Sequence, residues 1–379
     1  MAVTDLFELY QDLHRHPELS GAEERTAAVL ARELTGLGFT VHPGIGGHGV
    51  VAALDNGEGP TVALRSELDA LPLTERTGLP YAASGTAMHA CGHDLHLAAV
   101  VGAAAELTED RASWRGRLVV LGQPGEETLD GALAMVADGV HDIFGKPDAV
   151  LAQHAVPGPV GRIGHSPGPI TAPCAELAII VHGRGGHAAV PHLAVDPVVL
   201  AAHLVVRLQS VVARETSPAE PVVVTVGSIH AGDAANVIPD RVRLGVSVRS
   251  ATDGALSRAL TAVERVCRAE AVASGAPVEP EIQTVRSAPA TINDRQLTLA
   301  VRGAQLAALG PNLVSWTPPV AAAEDVSHLA EGAPLCYWTL GVGDRGTNHS
   351  PDFAPSPEAL PAAVRALALA AQAVFASGR

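Results

Sequence analysis

The sequence is poor in aromatic residues, which occupy only 3% of its 379 positions. Apolar residues still make up 47%, so a large core is possible, but Ala, Val and Leu must fill it. Basic residues are also few: 25 Lys and Arg stand against 40 Asp and Glu, giving a formal charge of −15. Because there is no basic run, we expect neither nucleic acid nor an anionic membrane surface as a partner.

Cysteine is limited to four widely spaced residues, Cys91, Cys174, Cys267 and Cys336. This spacing forms no disulfide framework and favours a reducing compartment. The first residues lack the basic and apolar stretches of a signal peptide. No uncharged apolar run approaches the roughly 18 residues that span a bilayer. We therefore expect a soluble, cytoplasmic protein without a membrane partner.

Strands alternate with helices along most of the chain, which predicts an α/β domain with a mostly parallel sheet and helices on both faces. From residue 172 the order becomes strand, helix, strand, strand, helix, which predicts a smaller α+β unit of ferredoxin-like type. After residue 285 the first pattern returns. We expect a catalytic domain at 1–171 and 285–379, interrupted by an inserted domain at 172–284.

The densest group of chemically active residues is Met88–His96, which holds three histidines, one thiol and one carboxylate. An apolar, helix-like run follows it, so the group lies where a loop enters a helix. Cys91 and His93 are two residues apart, and Gly92 between them permits the tight turn that would let both reach one metal ion. The alternative is that these side chains merely pack against the helix or cap it.

Carboxylates and imidazoles recur where predicted strands end. Asp69 follows one strand and the pair Glu126 and Glu127 follows another, while His154 and His349 end or follow two more. The carboxyl ends of parallel strands meet at one edge of a sheet, so these side chains are expected to converge. Each alone could be a solvated surface group. Together with the thiol they give five ligands for first-row dications: Cys91, His93, Glu127, His154 and His349. Five ligands exceed the need of one zinc ion and indicate two ions.

Six stretches of the chain resemble those of the dinuclear metal-dependent amidohydrolases. That family includes aminoacylases, hippurate hydrolases and auxin-conjugate hydrolases, and is related to glutamate-releasing carboxypeptidases. The resemblance covers nearly the whole chain. The stretches are Arg-Ser-Glu-Leu-Asp-Ala-Leu-Pro, Met-His-Ala-Cys-Gly-His-Asp, Gln-Pro-Gly-Glu-Glu, Gly-Gly-His-Ala-Ala, Asn-Val-Ile-Pro and Asn-His-Ser-Pro-Asp-Phe.

The resemblance implies a metallopeptidase-like catalytic domain, a lid or dimerisation domain, and two divalent ions, which could be zinc, manganese, cobalt or nickel. It implies that the five residues named above are the metal ligands. Glu126 matches the general base that takes a proton from a water between the ions, and Asp69 matches the acid that orients the site.

The same resemblance assigns three residues of the inserted domain to the substrate. His187 matches an imidazole that reaches the substrate carbonyl, in relatives often across a homodimer. Asn236 and Arg249 match positions that hold the substrate carboxylate. The expected reaction is hydrolysis of the amide bond of N-acyl amino acids. A dipeptidase or exo-carboxypeptidase using the same ions is the nearer alternative, and a non-catalytic binding protein is the farther one.

Three positions depart from the pattern of the family. Glu67 stands where Asp is usual, and its extra methylene could crowd or reposition the site. Gly125 replaces Ala beside the catalytic acid, which predicts a looser backbone. Val326 replaces an aromatic residue, which predicts that a pocket wall loses a ring.

Overall fold

The computed structural model describes residues 5–320 and 322–377. Within them the chain forms two compact units, each with its own core. The first consists of the residues up to Ile170, Thr291–Val320 and the residues from Asp325 onward. The second is Thr171–Ala290 together with the short segment that ends at Glu324.

The helices are α1 (Leu6–Arg15), α2 (Glu24–Gly36), α3 (His93–Glu109), α4 (Gly131–Ala137), α5 (Val140–Phe144), α6 (Pro197–Glu215), α7 (Asp253–Ala273), α8 (Arg295–Leu309), α9 (Ser327–Ala330) and α10 (Leu360–Ser377). The strands are β1 (Thr40–Ile45), β2 (Gly49–Asp55), β3 (Thr61–Glu67), β4 (Arg117–Gln123), β5 (Ala149–Val156), β6 (Ile163–His165), β7 (Gly168–Pro169), β8 (Cys174–His182), β9 (Gly186–His187), β10 (Val222–Ala231), β11 (Val237–Ile238), β12 (Arg241–Ser250), β13 (Glu281–Ala288), β14 (Ile292–Asn293), β15 (Val314–Trp316) and β16 (Leu335–Gly341).

The main sheet of the first unit has the order β1-β2-β4-β3-β5-β16-β6-β15. Its centre, β4-β3-β5-β16, is parallel throughout, while β1 and β2 at one edge and β6 against β16 run antiparallel. The expected α/β class with a mostly parallel sheet is therefore confirmed. Apolar clusters cover both faces of the sheet, as in other sheets of this class.

Helix α3 leads away from the group of polar residues identified at Met88–His96. Gly92 precedes it with φ +84°, a conformation that residues with a Cβ rarely adopt. A Cβ at Gly92 would also lie 2.9 Å from the Ala155 Cβ. Glycine therefore lets the start of α3 lie directly against β5. The helix is apolar nearly all round and is buried along most of its length.

The second unit is a four-stranded antiparallel sheet of order β10-β12-β8-β13, with α6 and α7 packed on one face. Along the chain its elements run β8, α6, β10, β12, α7, β13, which is the ferredoxin-like arrangement. Strand β13 runs past residue 284, so this unit extends to Ala290. Asp196 caps α6 by accepting a hydrogen bond from the Val198 N–H at 2.8 Å.

Two helical segments, Pro197–Glu215 and Pro357–Ser377, are long and apolar enough to cross a membrane by length and composition alone. Both pack into the cores of their own units. Leu200 and Leu204 of the first, and Leu367 and Ala370 of the second, are almost fully buried. Core helices of globular proteins pass the same test, so this finding gives weak support for a membrane span.

Candidate metal centre

The proposed ligands all come from the first unit, at or beyond the carboxyl ends of its parallel strands and at the start of α3. His154 lies near the end of β5, Glu127 follows β4, and His349 follows β16. Cys91 and His93 lie at the loop that enters α3. The alignment of β3, β4, β5 and β16 in one parallel block brings these five side chains to one edge of the sheet.

Cys91 belongs to two groups of ligand atoms. Its Sγ lies 3.3 Å from His154 Nε2 and 3.4 Å from His349 Nε2. The ligand atoms of Cys91, His93 and His154 all lie within 4.8 Å of one another, and so do those of Cys91, Glu127 and His349. Two overlapping triads that share one thiol are the arrangement expected for two ions close together.

The imidazoles of His93, which is buried, and His154, which is half-buried, are oriented as metal ligands. His93 Nδ1 donates to the backbone oxygen of Asp69 at 2.8 Å, and His154 Nδ1 donates to the backbone oxygen of Ala155 at 2.9 Å. Each ring therefore presents the lone pair of Nε2. His93 Nε2 is buried and has no hydrogen-bond partner among the residues the structure describes. A buried nitrogen left in this state costs free energy unless an ion occupies its lone pair, so the residues fit a metal ion.

Protons must leave the ligands when metal binds. Burial raises the pKa of the Cys91 thiol. Hydrogen bonds with Cys91 and Glu127 raise the pKa of His349 to about 10. Thiolate and neutral imidazole are the ligand forms, so metal binding displaces these protons and becomes tighter as the pH rises.

Asp69 holds the site together from outside the ligand set. Its Oδ2 accepts hydrogen bonds from the Ser20 hydroxyl at 2.7 Å and from the Glu127 N–H at 2.9 Å. Burial alone would raise the pKa of Asp69, but these bonds and the neighbouring His93 outweigh it and lower that pKa. Asp69 is therefore an anion that orients two ligands. Its carboxylate holds the backbone N–H of Glu127, and its backbone oxygen holds the ring of His93.

Glu126 lies beside the ligands. Its Oε2 is 3.7 Å from His93 Nε2, and the carboxylates of Glu126 and Glu127 form a third compact group with His93. The preceding Gly125 has φ +56°, and its N–H donates to Glu23 at 2.8 Å. A Cβ there would lie 3.1 Å from Asp130 Oδ1. Glycine therefore suits this conformation, and the expected loose backbone is instead fixed by a hydrogen bond.

Of the two other departures, Glu67 lies close to the ligands: its carboxylate is buried between the Arg65 guanidinium and His96 Nδ1 and forms a compact group with the proposed ligand His93. The expectation about Val326 is wrong. Val326 does not line a pocket, because it is fully buried in the apolar cluster that contains Leu329. A ring lost at this position would change core packing, not a pocket wall.

Sequence reasoning missed the role of Ser20. The spacing of Ser20 and Glu23 matches a capping box for α2. In the structure Ser20 instead donates to Asp69, and Glu23 accepts from Gly125. Asp94 is not the N-cap of α3, which is Gly92 and has no side-chain cap; its carboxylate accepts from the Leu95 N–H at 2.9 Å and from His14 Nδ1 at 2.6 Å. His89 is buried, and burial lowers its pKa to about 4.

The second unit carries the other predicted site residues in two separate places. His187 in β9 and Asn236 just before β11 lie on one exposed antiparallel strand pair, β9–β11, beside which the Ala188 N–H donates to the Asn236 backbone oxygen at 3.1 Å. Arg249 lies at the far end of β12, opposite Cys174 and Val223. Eight residues of strand separate it from Arg241, a distance of roughly 26 Å. The structure therefore brings His187 and Asn236 together but leaves Arg249 apart.

The His187 ring is held by its own loop. Its Nδ1 accepts a hydrogen bond from the Ala189 N–H at 3.0 Å, so the proton of the neutral ring is on Nε2. The side chain is exposed within the second unit. The ring can therefore donate a hydrogen bond from Nε2 to an oxygen outside the β9–β11 strand pair.

Comparison with known proteins agrees with this chemistry. Residues 63–373 match the model of Peptidase family M20/M25/M40. The N-acetyl-L-cysteine deacetylase of Bacillus subtilis is 34% identical over 92% of this chain and 83% of its own. The hippurate hydrolase of Campylobacter jejuni is 34% identical over 86% and 85%. A crystal structure of a dinuclear metal-binding M20 peptidase from Bacillus subtilis has a TM-score of 0.81 at 29% identity and covers 98% of both chains.

The chain belongs to Peptidase family M20/M25/M40, and the resemblance to its dinuclear metal-dependent amidohydrolases is confirmed.

Proposed function

We propose that this amidohydrolase cleaves the amide bond of N-acyl amino acids to a carboxylic acid and a free amino acid. The observation that carries the proposal is the pair of overlapping ligand triads sharing Cys91, with Glu126 beside them. The names of the relatives, a deacetylase of N-acetylcysteine and a hydrolase of hippurate, support an N-acyl amino acid as substrate.

The proposed ligands are Cys91, His93, Glu127, His154 and His349. Their sulfur, nitrogen and oxygen donors suit zinc, manganese, cobalt or nickel. Two such ions would polarise the amide carbonyl and lower the pKa of a water molecule. The protein supplies the remaining steps.

Glu126 is proposed as the general base. Its carboxylate accepts a proton from the attacking water and then returns that proton to the leaving amine nitrogen. Asp69 takes no part in proton transfer in this scheme. It holds the His93 ring and the Glu127 backbone while the neighbouring carboxylate changes its protonation state.

We infer that residues of the second unit bind the substrate. His187 would donate from Nε2 to the carbonyl oxygen as negative charge develops there. Asn236 and Arg249 would hold the carboxylate of the amino acid. They lie at opposite ends of β12, so one small substrate is too short to touch both in the same chain. This separation supports a homodimer in which one chain supplies Arg249 and the other supplies His187 and Asn236.

The second unit offers a surface for this homodimer. Strand β10 is an edge of its sheet, and the neighbouring helix α6 exposes Val198, Val199 and Val206. Sedimentation of the native protein should give twice the mass of one chain. Val206→Glu should shift it to the monomer, whereas a monomeric native protein contradicts this arrangement. We also propose a cytoplasmic location, since the four cysteines are buried and free.

The substrate class can be tested with a panel of N-acetyl, N-benzoyl and long-chain N-acyl amino acids, with dipeptides as the comparison. Release of the free amino acid is measured in the presence of each candidate metal. We expect acyl amino acids to be cleaved and dipeptides to be poor substrates, because a charged α-amino group requires an acidic partner. Cleavage confined to dipeptides would favour the dipeptidase and contradict the proposal.

A further inference from the structure

His96 lies within the site but is not one of the proposed ligands. It follows His93 by three residues on α3 and is 2% exposed. Its ring packs edge-on against the His154 ring, with 5.0 Å between the centroids. The sequence alone is compatible both with packing at the helix end and with a supporting role.

Both ring nitrogens of His96 are hydrogen-bonded. Nε2 accepts from the Ala155 N–H at 2.8 Å, so Nε2 carries no proton. Nδ1 must therefore carry the proton, and it donates to Glu67 Oε2 at 2.8 Å. Pairing of β5 with β3 ends where Arg65 lies opposite Ala152. Three residues further on, the Ala155 N–H is held by an imidazole instead of a strand.

The backbone on either side of the Ala155 Cα connects His96 to the ligands: the N–H bonded to His96 belongs to the peptide group before it, and the oxygen to the peptide group after it. The Ala155 oxygen accepts from His154 Nδ1 at 2.9 Å and from Asn348 Nδ2 at 3.0 Å. Asn348 Nδ2 also lies 3.8 Å from Cys91 Sγ, and Asn348 is followed directly by His349. Two consecutive peptide groups, joined at the Ala155 Cα, therefore link His96 to the ring of one ligand and to the segment that carries another.

The Glu67 side chain, which holds His96, is itself held in place by other buried side chains. The Arg65 guanidinium pairs with Glu67 and donates from Nε to Gln123 at 2.9 Å. Gln123 in turn donates to Asp325 Oδ1 at 2.6 Å. All four side chains are buried. A buried and fully bonded network of this kind holds one geometry.

We propose that His96 is a positioning residue of the metal centre: held by Glu67, it fixes the backbone at Ala155 and, through the carbonyl of that residue, sets the orientation of His154 and Asn348. This inference rests on the metal centre of the proposed function. It also gives a role to the departure at position 67. The carboxylate of Glu67 has the reach to hold Arg65 with one oxygen and His96 with the other.

The test compares two substitutions of His96 with one matched control. His96→Gln keeps an acceptor and a donor at nearly the ring spacing, whereas His96→Asn has the same chemistry but is one methylene too short. The control is His165→Asn. His165 is a buried histidine of the same unit, bonded to Gln305 Oε1 at 2.6 Å. Each metal-free protein is titrated with Co²⁺, and the affinity, the thiolate-to-cobalt absorption band and the melting temperature are recorded.

We expect His96→Asn to weaken Co²⁺ binding by ~10–100-fold and to change the cobalt spectrum, as loss of a supporting contact does at other metal sites. His96→Gln should bind nearly as the native protein does. His165→Asn should melt earlier but keep the native affinity and spectrum. Native Co²⁺ binding by His96→Asn, or an equal loss of affinity in His165→Asn, would overturn the proposal.

Two further results are informative. If His96→Asn does not fold, Glu67→Gln serves instead, since the amide has one accepting oxygen and faces its NH₂ towards one of the two donors; it should weaken binding in the same direction, and native binding by it refutes the role. Wild-type protein that binds Co²⁺ with a thiolate band but cleaves no acyl amino acid would refute the proposed substrate and leave the inference intact. Wild-type protein that binds no Co²⁺ would contradict both the proposed function and the positioning role of His96.

Discussion

The two units hold their functional side chains in different ways. In the first unit, His93 and Asp69 are fully buried, and the polar contacts of Asp69 with His93, Ser20 and Glu127 join residues 24, 49 and 58 positions apart. In the second, His187 is exposed, and its ring accepts a hydrogen bond from Ala189, two residues away. The first arrangement depends on the whole fold of its unit, whereas the orientation of the His187 ring is set by its own loop.

Mutations in the two units should therefore cause two different kinds of defect. A change among the buried groups of the first unit should disturb metal binding, stability or both, because those groups support one another. A change to an exposed side chain of the β9–β11 strand pair should alter turnover alone. The general base is an intermediate case, because it lies beside the ligands without being one of them.

Glu126→Gln should have the largest effect on turnover. The amide keeps the size of the side chain but cannot accept a proton, so kcat should fall by ~10²–10⁴-fold. Metal content, measured by mass spectrometry of the purified protein, should stay native. Near-native kcat would remove Glu126 from the role of base, and lost metal would make it a ligand.

His187→Ala should have the next largest effect. Loss of one donor to a developing oxyanion costs ~10²–10³-fold in kcat. Co²⁺ affinity and melting temperature should not change, because the side chain is exposed and bonded only within its loop. His192→Ala, a neighbouring exposed histidine, is the matched control and should be silent. Equal losses in both variants would point to a damaged loop.

The smallest effect concerns stability and involves His14. Burial would lower its pKa, but hydrogen bonds to Asp94 at 2.6 Å and Glu75 at 3.1 Å raise it to about 10. A pKa raised on folding adds stability that is complete below about pH 6.5 and is lost as the pH rises through about 10. His14→Gln should therefore cost about 2 kcal/mol near neutral pH and less at pH 10.

Urea midpoints of the metal-free proteins between pH 6.5 and 10 measure this difference in stability between His14→Gln and the native protein. Exposed His16 provides the control, and His16→Gln should follow the native protein at every pH. If the difference in stability between His14→Gln and the native protein stays constant with pH, His14 does not act through its charge.

The sequence is a good guide wherever one simple rule decides the position of a residue. Strand ends of a parallel sheet meet at one edge, so the places of Glu127 and His154 in the chain are enough to predict that the two side chains converge. The alternation of strands and helices likewise predicts both the α/β class and the ferredoxin-like unit. These predictions need only local patterning and the handedness of parallel connections.

The sequence is a poor guide where a side chain chooses between local and distant partners. Ser20 fits a capping box with Glu23, yet it donates to Asp69, 49 residues away. The partner of His96 is a backbone N–H 59 residues away, and spacing gives no signal for such a contact. The position of Val326 suggests part of a pocket wall, but packing around α9 buries it.

The most direct test of the account is a metal titration of activity. Protein freed of metal by a chelator is given increasing zinc or cobalt, and hydrolysis of an N-acyl amino acid is measured at each step. The two triads that share Cys91 predict that activity rises until two ions are bound per chain and then levels off. Full activity at one ion per chain, or activity in metal-free protein, would contradict a dinuclear site.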